Sequence, residues 1–407
     1  MALIEDLKDD FFEFVKKHLK SDVAQLMLST RRDSLNFPVE FAVTQIKCRN
    51  SCRRKLTKFL ENERFIFPDS ISSEQASNQM VALYHAELIG KGKEVIDLSA
   101  GLGIDAMTIA AQGNHVTAIE LDQLKCAALR HNSSLFEGTT VTAINGNSID
   151  YLSNIRHHYD VAFIDPARRG NSNKRLYRLA DCEPDVTANL KLIMRHCDTL
   201  MIKASPMLDI LQLHRDLPSI EQFHLVSVDG ECKEILIKLN SDVSEYIKPS
   251  IFIVEIHNSK KPDIRKYEWS DLGKTNLIAD LKDIKENVYL YDPYAAIHKL
   301  NISNKLCTDY EGLKRISPNT DLYCSEVLYH DFPGRIFHIE EVVRKTESKQ
   351  LKGKTLEVAT RNYPLKSEEL RKKLGIVTGG ENEYLYAFRT GIKEKPLLVR
   401  CKRLNLD

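Results

Sequence analysis

Residues 95 to 122 combine small residues and acids in a pattern suited to binding a cofactor. The stretch VIDLSAGLGIDAMTIAAQGNHVTAIELD predicts a strand ending at Asp97, a loop containing Gly101 and Gly103, and then a helix. A second strand ends at Glu120, about 20 residues further on, the usual offset for a carboxylate that binds ribose hydroxyls. Glycine lets the backbone turn sharply and approach a ligand where a Cβ would collide. This context favours an adenosine-type cofactor over a ligand-free turn.

The second candidate site is FIDPARRG, residues 163–170, at the end of the fourth predicted strand. In open α/β sheets, ligands bind beyond the carboxyl ends of the strands. Asp165 and a backbone carbonyl stiffened by Pro166 could accept the hydrogens of a planar nitrogen, and Arg168 could stack on a base or bind phosphate. We therefore predict Asp165, Pro166 and Arg168 as catalytic residues. The alternative is that Asp165 caps the next turn while the arginines face water.

Basic residues follow this segment and suit a phosphate backbone. The predicted substrate-binding residues are Arg168, Arg169, Lys174, Arg175 and Lys203. Lys203 ends the fifth predicted strand and is expected beside Asp165 across the sheet edge. It would contact phosphate or substrate, or else extend its ammonium group to solvent. A run of charges is equally consistent with a solvated face.

The order of the predicted elements indicates an α/β protein. Residues 1–88 are helical in pattern and predict a helical N-terminal domain. Residues 89–245 predict a Rossmann-like, mostly parallel sheet of seven strands that ends in an antiparallel hairpin near Gly230. Residues 246–325 predict a small module or linker, and residues 326–407 a small α+β domain.

Composition sets broader limits. A chain of 407 residues predicts two or three domains, and a formal net charge of +1 gives no global argument for binding nucleic acid or a membrane. No apolar run approaches the roughly 18 residues of a transmembrane span. The nine cysteines lack zinc-site spacing, and Cys48 and Cys52 are expected to be buried thiols. We expect a cytoplasmic protein without a metal ion.

The segment 90–240 resembles the class I methyltransferases, which use S-adenosylmethionine. The GxG loop lacks the third glycine of dinucleotide-binding folds, and a terminal hairpin follows. This resemblance implies that Asp97 lies near the methionine ammonium group and that Glu120 binds the ribose. The other cofactor-binding positions it implies are Ser99, Gly101, Gly103, Asp105, Asn147 (toward the adenine amino group) and Asp165. FIDPARRG departs from the substrate motif of the class, Asp/Asn-Pro-Pro-aromatic, at Ala167 and Arg168.

Several motifs together resemble a bacterial family of such methyltransferases with a C-terminal THUMP-like domain. They are EQAS, DLSAGLGIDA, AIELD, FIDPARRG and the tail VATRNYPLKSEELRKKLGIVTGGENEYLYAFR. The resemblance implies RNA as the substrate and a ferredoxin-like module between about 250 and 325. We therefore predict an S-adenosylmethionine-dependent enzyme that methylates a base nitrogen of RNA. The alternatives are a methyltransferase for a small molecule or protein, and a non-catalytic protein that binds S-adenosylmethionine or RNA.

Two further segments are ambiguous. YDPYAA, residues 291–296, resembles the substrate motif by eye but follows no strand of the cofactor sheet, so Asp292 and Pro293 are predicted to form a turn. Basic residues of the tail could form a face for RNA, or a solvated helix in which lysines pair with Glu368 and Glu369. These basic residues are Arg361, Lys366, Arg371, Lys372 and Lys373.

Overall fold

The computed structural model describes residue 4 and residues 7–29, 35–168, 178–241, 247–257, 261–344 and 347–405. The chain divides into two compact units, the first formed by residues 1–229 and 233–263 and the second by residues 230–232 and 264–407. None of the helices in these ranges is both long and apolar enough to cross a membrane.

The first unit begins with short helices that bury one apolar face. They are α1 (Asp9–His18), α2 (Val23–Ser29), α3 (Val39–Cys52), α4 (Thr57–Leu60), α5 (Ser70–Gln75) and α6 (Gln79–Ile89). In α1, Phe11, Phe12 and Val15 are buried at helical spacing, while acids occupy the first turn and lysines the last, which favours the helix dipole.

The predicted separate domain over residues 1–88 is not a separate unit in the structure. Phe11, Phe41 and Ile46 share a hydrophobic core with Ala127 and Ala128, which belong to a helix of the sheet region. The core of the N-terminal helices is therefore continuous with that helix. Cys48 and Cys52 are free and buried, as expected.

A large sheet forms the centre of the first unit. Its strands within that unit are β1 (Glu94–Asp97), β2 (His115–Glu120), β3 (Thr140–Asn145), β4 (Tyr159–Ile164), β7 (Cys197–Ala204), β8 (Gln222–Val228), β9 (Glu231–Asn240) and β10 (Ser250–Ile256). Their order is β10-β8-β9-β7-β4-β1-β2-β3. Two short strands, β5 (Ala167–Arg168) and β6 (Cys182–Glu183), lie between β4 and β7 in the chain and outside this sheet, and β11 (Asp263–Glu268) begins at the boundary residue 263. The contacts among β1, β2, β3, β4 and β7 are parallel, and β9 is antiparallel to β7. The predicted α/β sheet with its closing hairpin is confirmed.

The sheet extends beyond the seven predicted strands. The segment β10 pairs with β8 in parallel over its full length, from Ser250 opposite Gln222 to Ile256 opposite Val228. Five of its seven residues are buried and the other two are half-buried, so it is a strand of the sheet and not part of a linker. The first unit consequently ends at residue 263, beyond the predicted boundary at 245.

Helices pack on the sheet, and the carboxyl ends of its parallel strands lie together at one edge. After α6, they are α7 (Ile104–Ala111), α8 (Gln123–Ser133), α9 (Ser148–Asn154), α10 (Val186–Arg195) and α11 (Ile210–Asp216). Because β1, β2, β3, β4 and β7 run parallel, the residues that follow them meet at the same edge.

The second unit is built on a seven-stranded sheet. Its strands are β12 (Tyr289–Pro293), β13 (Lys314–Ser317), β14 (Thr320–Ser325), β15 (Gly334–Val343), β16 (Glu357–Arg361), β17 (Glu383–Thr390) and β18 (Lys395–Leu404), with α12 (Ser303–Asp309) and α13 (Ser367–Leu374). The order is β13-β14-β12-β15-β18-β17-β16. The predicted boundary at residue 325 therefore falls inside one sheet, because β12 pairs with both β14 and β15.

Asp292 is the polar centre of the second unit. Its carboxylate accepts hydrogen bonds from Arg335, from Arg361 at 2.9 Å and from the Tyr386 hydroxyl at 2.8 Å, and its side chain is fully buried. The prediction that Asp292 and Pro293 form a turn is wrong, because both belong to β12. Burial raises the pKa of Asp292, but His298 and the two arginines lower it by more, so the carboxylate is ionised.

The basic tail residues are partly neutralised. Arg361 bonds to Asp292, and on α13 Glu368 pairs with Arg371 at 2.7 Å and with Lys372 at 3.4 Å. This arrangement supports the solvated-helix interpretation of α13 over a free basic face.

We expect Asp292→Asn to destabilise the second unit by about 3 kcal/mol or more, because it leaves two arginines around an uncharged, buried side chain. Denaturant unfolding followed by circular dichroism measures this change. Asp280→Asn, at an exposed aspartate of the same unit, is the control and should change stability by about 0.5 kcal/mol at most. Equal effects of the two substitutions would contradict the central role of Asp292.

Candidate active site at the carboxyl edge of the sheet

The loop between β1 and α7 is shaped by two glycines. Gly101 and Gly103 have φ values of 54° and 81°, a region that favours glycine. A Cβ on Gly103 would lie 2.0 Å from Cδ1 of Leu129 in α8, whereas a Cβ on Gly101 would meet nothing within 4 Å. Gly103 is therefore required for packing, and the space beside Gly101 is open.

Glu120 is fixed against this loop. Its Oε2 accepts a hydrogen bond from the Gly101 N–H at 2.8 Å, and its Oε1 accepts one from the Asp122 N–H at 2.8 Å. The acid at the end of β2 and the glycine loop after β1 are thus neighbours, as the sequence predicted.

Asp97 is a buried acid at the end of β1. Its Oδ1 accepts a hydrogen bond from the Ser99 N–H at 3.0 Å, and 2% of the residue is exposed. Burial raises the pKa of Asp97 to about 8, and although the Ser99 N–H opposes this, the carboxylates of Asp105, Asp165 and Glu120 raise it further. The site is therefore suited to a cation.

Asn147 caps a helix. Its side-chain oxygen accepts hydrogen bonds from the N–H groups of Ile149 at 2.8 Å and Asp150 at 3.2 Å, at the start of α9. The oxygen assigned to an adenine amino group is therefore engaged by the backbone. Asp150 lies in the first turn of the same helix.

Asp165 follows β4 at the same edge. Its N–H donates to the Ser99 hydroxyl at 2.7 Å, so Ser99 joins the cofactor loop to the candidate catalytic segment. The side chain of Asp165 is 42% exposed, and Pro166 beside it is buried. Burial raises the pKa of the Asp165 carboxyl group, while Lys203 opposes the shift.

The segment after Asp165 forms a short ribbon. Strand β5 (Ala167–Arg168) is antiparallel to β6 (Cys182–Glu183), with Arg168 opposite Cys182. The Arg168 side chain and the predicted phosphate contacts Arg169, Lys174 and Arg175 lie outside the described residues.

Lys203 forms an ion pair with Asp165. Its Nζ donates to Oδ2 of Asp165 at 2.7 Å and to the Ser77 hydroxyl at 2.8 Å. Its side chain is only 12% exposed. This geometry confirms that Lys203 and Asp165 are neighbours, and it shows the ammonium group bonded to protein partners. The assignment of Lys203 to substrate binding stays a prediction.

Five side chains form a closed ring behind Asp165. Ser77 donates to Oδ2 of Asp105, Oδ1 of Asp105 bonds to Nδ1 of His85 at 2.8 Å, and Nε2 of His85 bonds to Oε1 of Glu234 at 2.6 Å. Oε2 of Glu234 lies 3.9 Å from Nζ of Lys203, which closes the ring. We call Lys203, Ser77, Asp105, His85 and Glu234 the polar ring.

The ring includes one residue that was predicted to bind the cofactor and others that the sequence analysis missed. Asp105 was predicted to bind the cofactor, but its two oxygens bond to His85 and Ser77. His85 lies on α6, Ser77 precedes that helix, and Glu234 lies on β9. Of the three, only Ser77 belongs to a motif noted in the sequence, as the last residue of EQAS.

The polar ring holds opposite charges together away from water. Burial lowers the pKa of His85, but Glu234 and Asp105 raise it by more, to about 9. Burial raises the pKa of Asp105, but His85 and Lys203 lower it to about 2. Burial likewise lowers the pKa of Lys203, but the three nearby carboxylates raise it by more, so the pKa lies above its ordinary value. At neutral pH both cations are therefore protonated.

Family models match the second unit. Residues 334–403 match the THUMP domain-like model, and residues 289–333 match a ferredoxin-like domain. Over nearly its whole length the chain is similar to a protein of Porphyromonas gingivalis whose crystal structure is provisionally described as a methyltransferase. The two share 26% identity and a TM-score of 0.82, covering 97% of this chain and 98% of that one. The first unit has the class I methyltransferase fold. The family resemblance predicted from the sequence is thus confirmed.

Two curated proteins are similar to shorter stretches. One is described as an uncharacterized RNA methyltransferase of Mycoplasma mobile, 33% identical over 87 residues, which are 21% of this chain and 23% of that protein. The other is the ribosomal RNA small subunit methyltransferase G of Gluconobacter oxydans, 47% identical over 57 residues, or 14% and 30%. The matches therefore span less than a third of either relative.

We expect the stability contributed by His85 to depend on pH. Since its pKa rises on folding, the contribution is fully present below about pH 6.5 and is lost as the pH rises through about 9. The difference in free energy of unfolding between wild type and His85→Gln should therefore shrink over this range, by at most about 1.4 kcal/mol per pH unit. Denaturant titrations at several pH values measure it.

His115→Gln is the control, because His115 is exposed at the start of β2. The difference in free energy of unfolding between wild type and His115→Gln should stay small across the same pH range. A His85→Gln difference that grows with pH would contradict a protonated His85.

Proposed function

We propose that this protein is an S-adenosylmethionine-dependent methyltransferase that modifies a base nitrogen in RNA. The observation that carries the proposal is the position of Asp165, a half-exposed carboxylate after β4, beside the glycine loop that follows the adjacent strand β1. In open α/β sheets this edge is where ligand and reactive group meet.

The residues at the edge fit the cofactor. The open space beside Gly101 admits a ligand against the backbone, and Glu120 offers a fixed carboxylate at the end of β2 for ribose hydroxyls. Asp97, whose pKa is raised by burial and by the carboxylates of Asp105, Asp165 and Glu120, suits the methionine ammonium group. When bound, the cofactor supplies an electrophilic methyl group.

Asp165 is suited to orient the nitrogen that accepts the methyl group. Its Oδ2 is engaged by Lys203, and within the described ranges of the chain its Oδ1 has no hydrogen-bond partner. Oδ1 can accept an N–H of the substrate and thereby direct the nitrogen lone pair toward the methyl group. Ala167 and Arg168 stand where the Asn/Asp-Pro-Pro-aromatic enzymes have the second proline and the aromatic residue. This protein must therefore hold the base in a different way from those enzymes.

RNA as the substrate is supported by the comparisons. Both curated relatives are described as acting on RNA, and a THUMP-like domain follows the methyltransferase fold. Incubation with tritiated S-adenosylmethionine and separate pools of RNA, protein and small metabolites tests the proposal. Label in RNA is expected, whereas label confined to protein or to small molecules would replace it with one of the two alternative substrates.

We expect Glu120→Gln to weaken S-adenosylmethionine binding by about 10- to 100-fold, because a charged acceptor of hydrogen bonds is lost at the ribose position. Isothermal titration calorimetry measures the Kd. Glu137→Gln, at an exposed glutamate on the loop before β3, is the matched control and should leave the Kd unchanged. Unchanged binding in Glu120→Gln would remove Glu120 from the cofactor site.

We expect Asp165→Asn to lower methyl transfer by about 100-fold or more while the Kd for S-adenosylmethionine changes little, because the substitution removes the charged acceptor for the substrate. Single-turnover assays with labelled cofactor measure the rate. Asp160→Asn is the control, since Asp160 lies near the opposite end of β4 and pairs with Lys93. Full activity in Asp165→Asn would refute the catalytic assignment.

A further inference from the structure

We propose that Lys203, held by the polar ring, is a positioning residue that fixes the Asp165 carboxylate with Oδ2 bound and Oδ1 directed to the substrate. The inference rests on the proposed function, in which Asp165 receives the substrate nitrogen. It gives a role to Lys203, which the sequence analysis assigned to substrate binding, and to the four other members of the polar ring.

The first step of the argument is the geometry of the ammonium group. A lysine Nζ has three hydrogens, and here it has three polar neighbours: Oδ2 of Asp165 at 2.7 Å, the Ser77 hydroxyl at 2.8 Å and Oε2 of Glu234 at 3.9 Å. With its side chain only 12% exposed, Lys203 has little freedom to choose other partners. The carboxylate oxygen that it binds is consequently held in place.

The second step is the support of each partner. Ser77 accepts from Lys203 and donates to Asp105, so its hydroxyl direction is set at both sides. His85 bonds to Asp105 through one ring nitrogen and to Glu234 through the other. A protonated imidazole has two donors and no acceptor, so this arrangement fits a charged His85 between two carboxylates.

The third step is the distribution of charge. Two cations, Lys203 and His85, face three carboxylates, those of Asp165, Asp105 and Glu234. Within this group of five side chains the carboxylates outnumber the cations, and Asp165 is the most exposed of the three carboxylates, at 42% against 9% and 4%. The most accessible carboxylate of the group is therefore the one that a substrate can reach.

The substrate is therefore offered one carboxylate oxygen, Oδ1 of Asp165, as its hydrogen-bond acceptor. A group with an available N–H, such as the exocyclic amine of a base, can bond to Oδ1 without displacing Lys203 from Oδ2. Loss of Lys203 would free the carboxylate to rotate, and a misplacement of about 1 Å can lower a rate by roughly 100-fold.

The test compares Lys203→Met with Lys203→Arg and Ser77→Ala in the full-length protein. We expect Lys203→Met to lower the kcat of methyl transfer by roughly 10- to 100-fold, with the KM for S-adenosylmethionine changed less than about threefold. Lys203→Arg should recover part of the loss, and Ser77→Ala should cause a smaller loss in the same direction. Lys93→Met is the matched control, because Lys93 pairs with Asp160 near the opposite end of β4.

The pH dependence separates positioning from a purely structural role. The charged groups that face Asp165 include Glu234, Asp105 and Asp97 as well as Lys203, and Lys203 lowers the pKa of the carboxyl group. Removing Lys203 should therefore move the acid limb of the kcat profile to higher pH, because Asp165 then takes up its proton more readily. A folded Lys203→Met variant with unchanged kcat and an unchanged acid limb would overturn the proposal.

A measurement without turnover distinguishes this inference from the proposed function. Carbon-13 NMR of the aspartate carboxyl groups, with Asp165 identified by its loss in Asp165→Asn, follows the titration of Asp165 in wild type and in Lys203→Met. An upward shift of its pKa supports positioning even if no nucleic acid is methylated, and no shift refutes it even if RNA is. If Lys203→Met does not fold, the kcat profile and the NMR titration of Asp165 are measured in Lys203→Arg and Ser77→Ala instead, and the same outcomes apply.

Discussion

The ion pair between Lys203 and Asp165 is the interaction on which the candidate site depends. A lysine ammonium group is costly to bury unless it is paired and hydrogen-bonded, and here three carboxylates and a hydroxyl surround it. Removing Lys203 or His85 would leave buried carboxylates without a cation that now pairs with them. The polar ring is thus a single electrostatic unit, and its members cannot be considered one at a time.

This unit joins parts of the chain that are distant in sequence. The bond between His85 and Glu234 connects residues 149 positions apart, and that between Lys203 and Ser77 connects residues 126 positions apart. The segment before α6, the helix α7 that follows the cofactor loop, and the strands β7 and β9 therefore meet in one network. Such long-range pairs form only when the sheet is assembled, so the site and the fold of the first unit are completed together.

The sequence predicted what local patterns encode. Asp97, Gly101, Gly103 and Glu120 follow strands and loops in a fixed order, so their meeting at one edge could be expected from the parallel sheet alone. The position of His85 in the site could not be predicted, because the sequence around a histidine on a helix does not indicate its partners on β9 and α7. Asn147 and Asp105 were assigned to the cofactor because of their positions in the motif, yet a helix cap and a buried histidine use their oxygens. The residues of β10 could either begin another segment or add a strand to the sheet, and the predicted boundary at 245 left them outside it, because pairing with β8 is decided by tertiary contacts and not by the strand's own pattern.

Helix α8 has a consequence for the N-terminal helices. On one side Leu129 fills the space beside Gly103, and on another Ala127 and Ala128 belong to the core that includes Phe11 and Phe41. A shortened chain that begins at the sheet would expose this alanine surface to water and remove the support of the helix that backs the glycine loop. The first helices are therefore an integral wall of the cofactor region, and the smallest unit able to hold the loop in shape includes them.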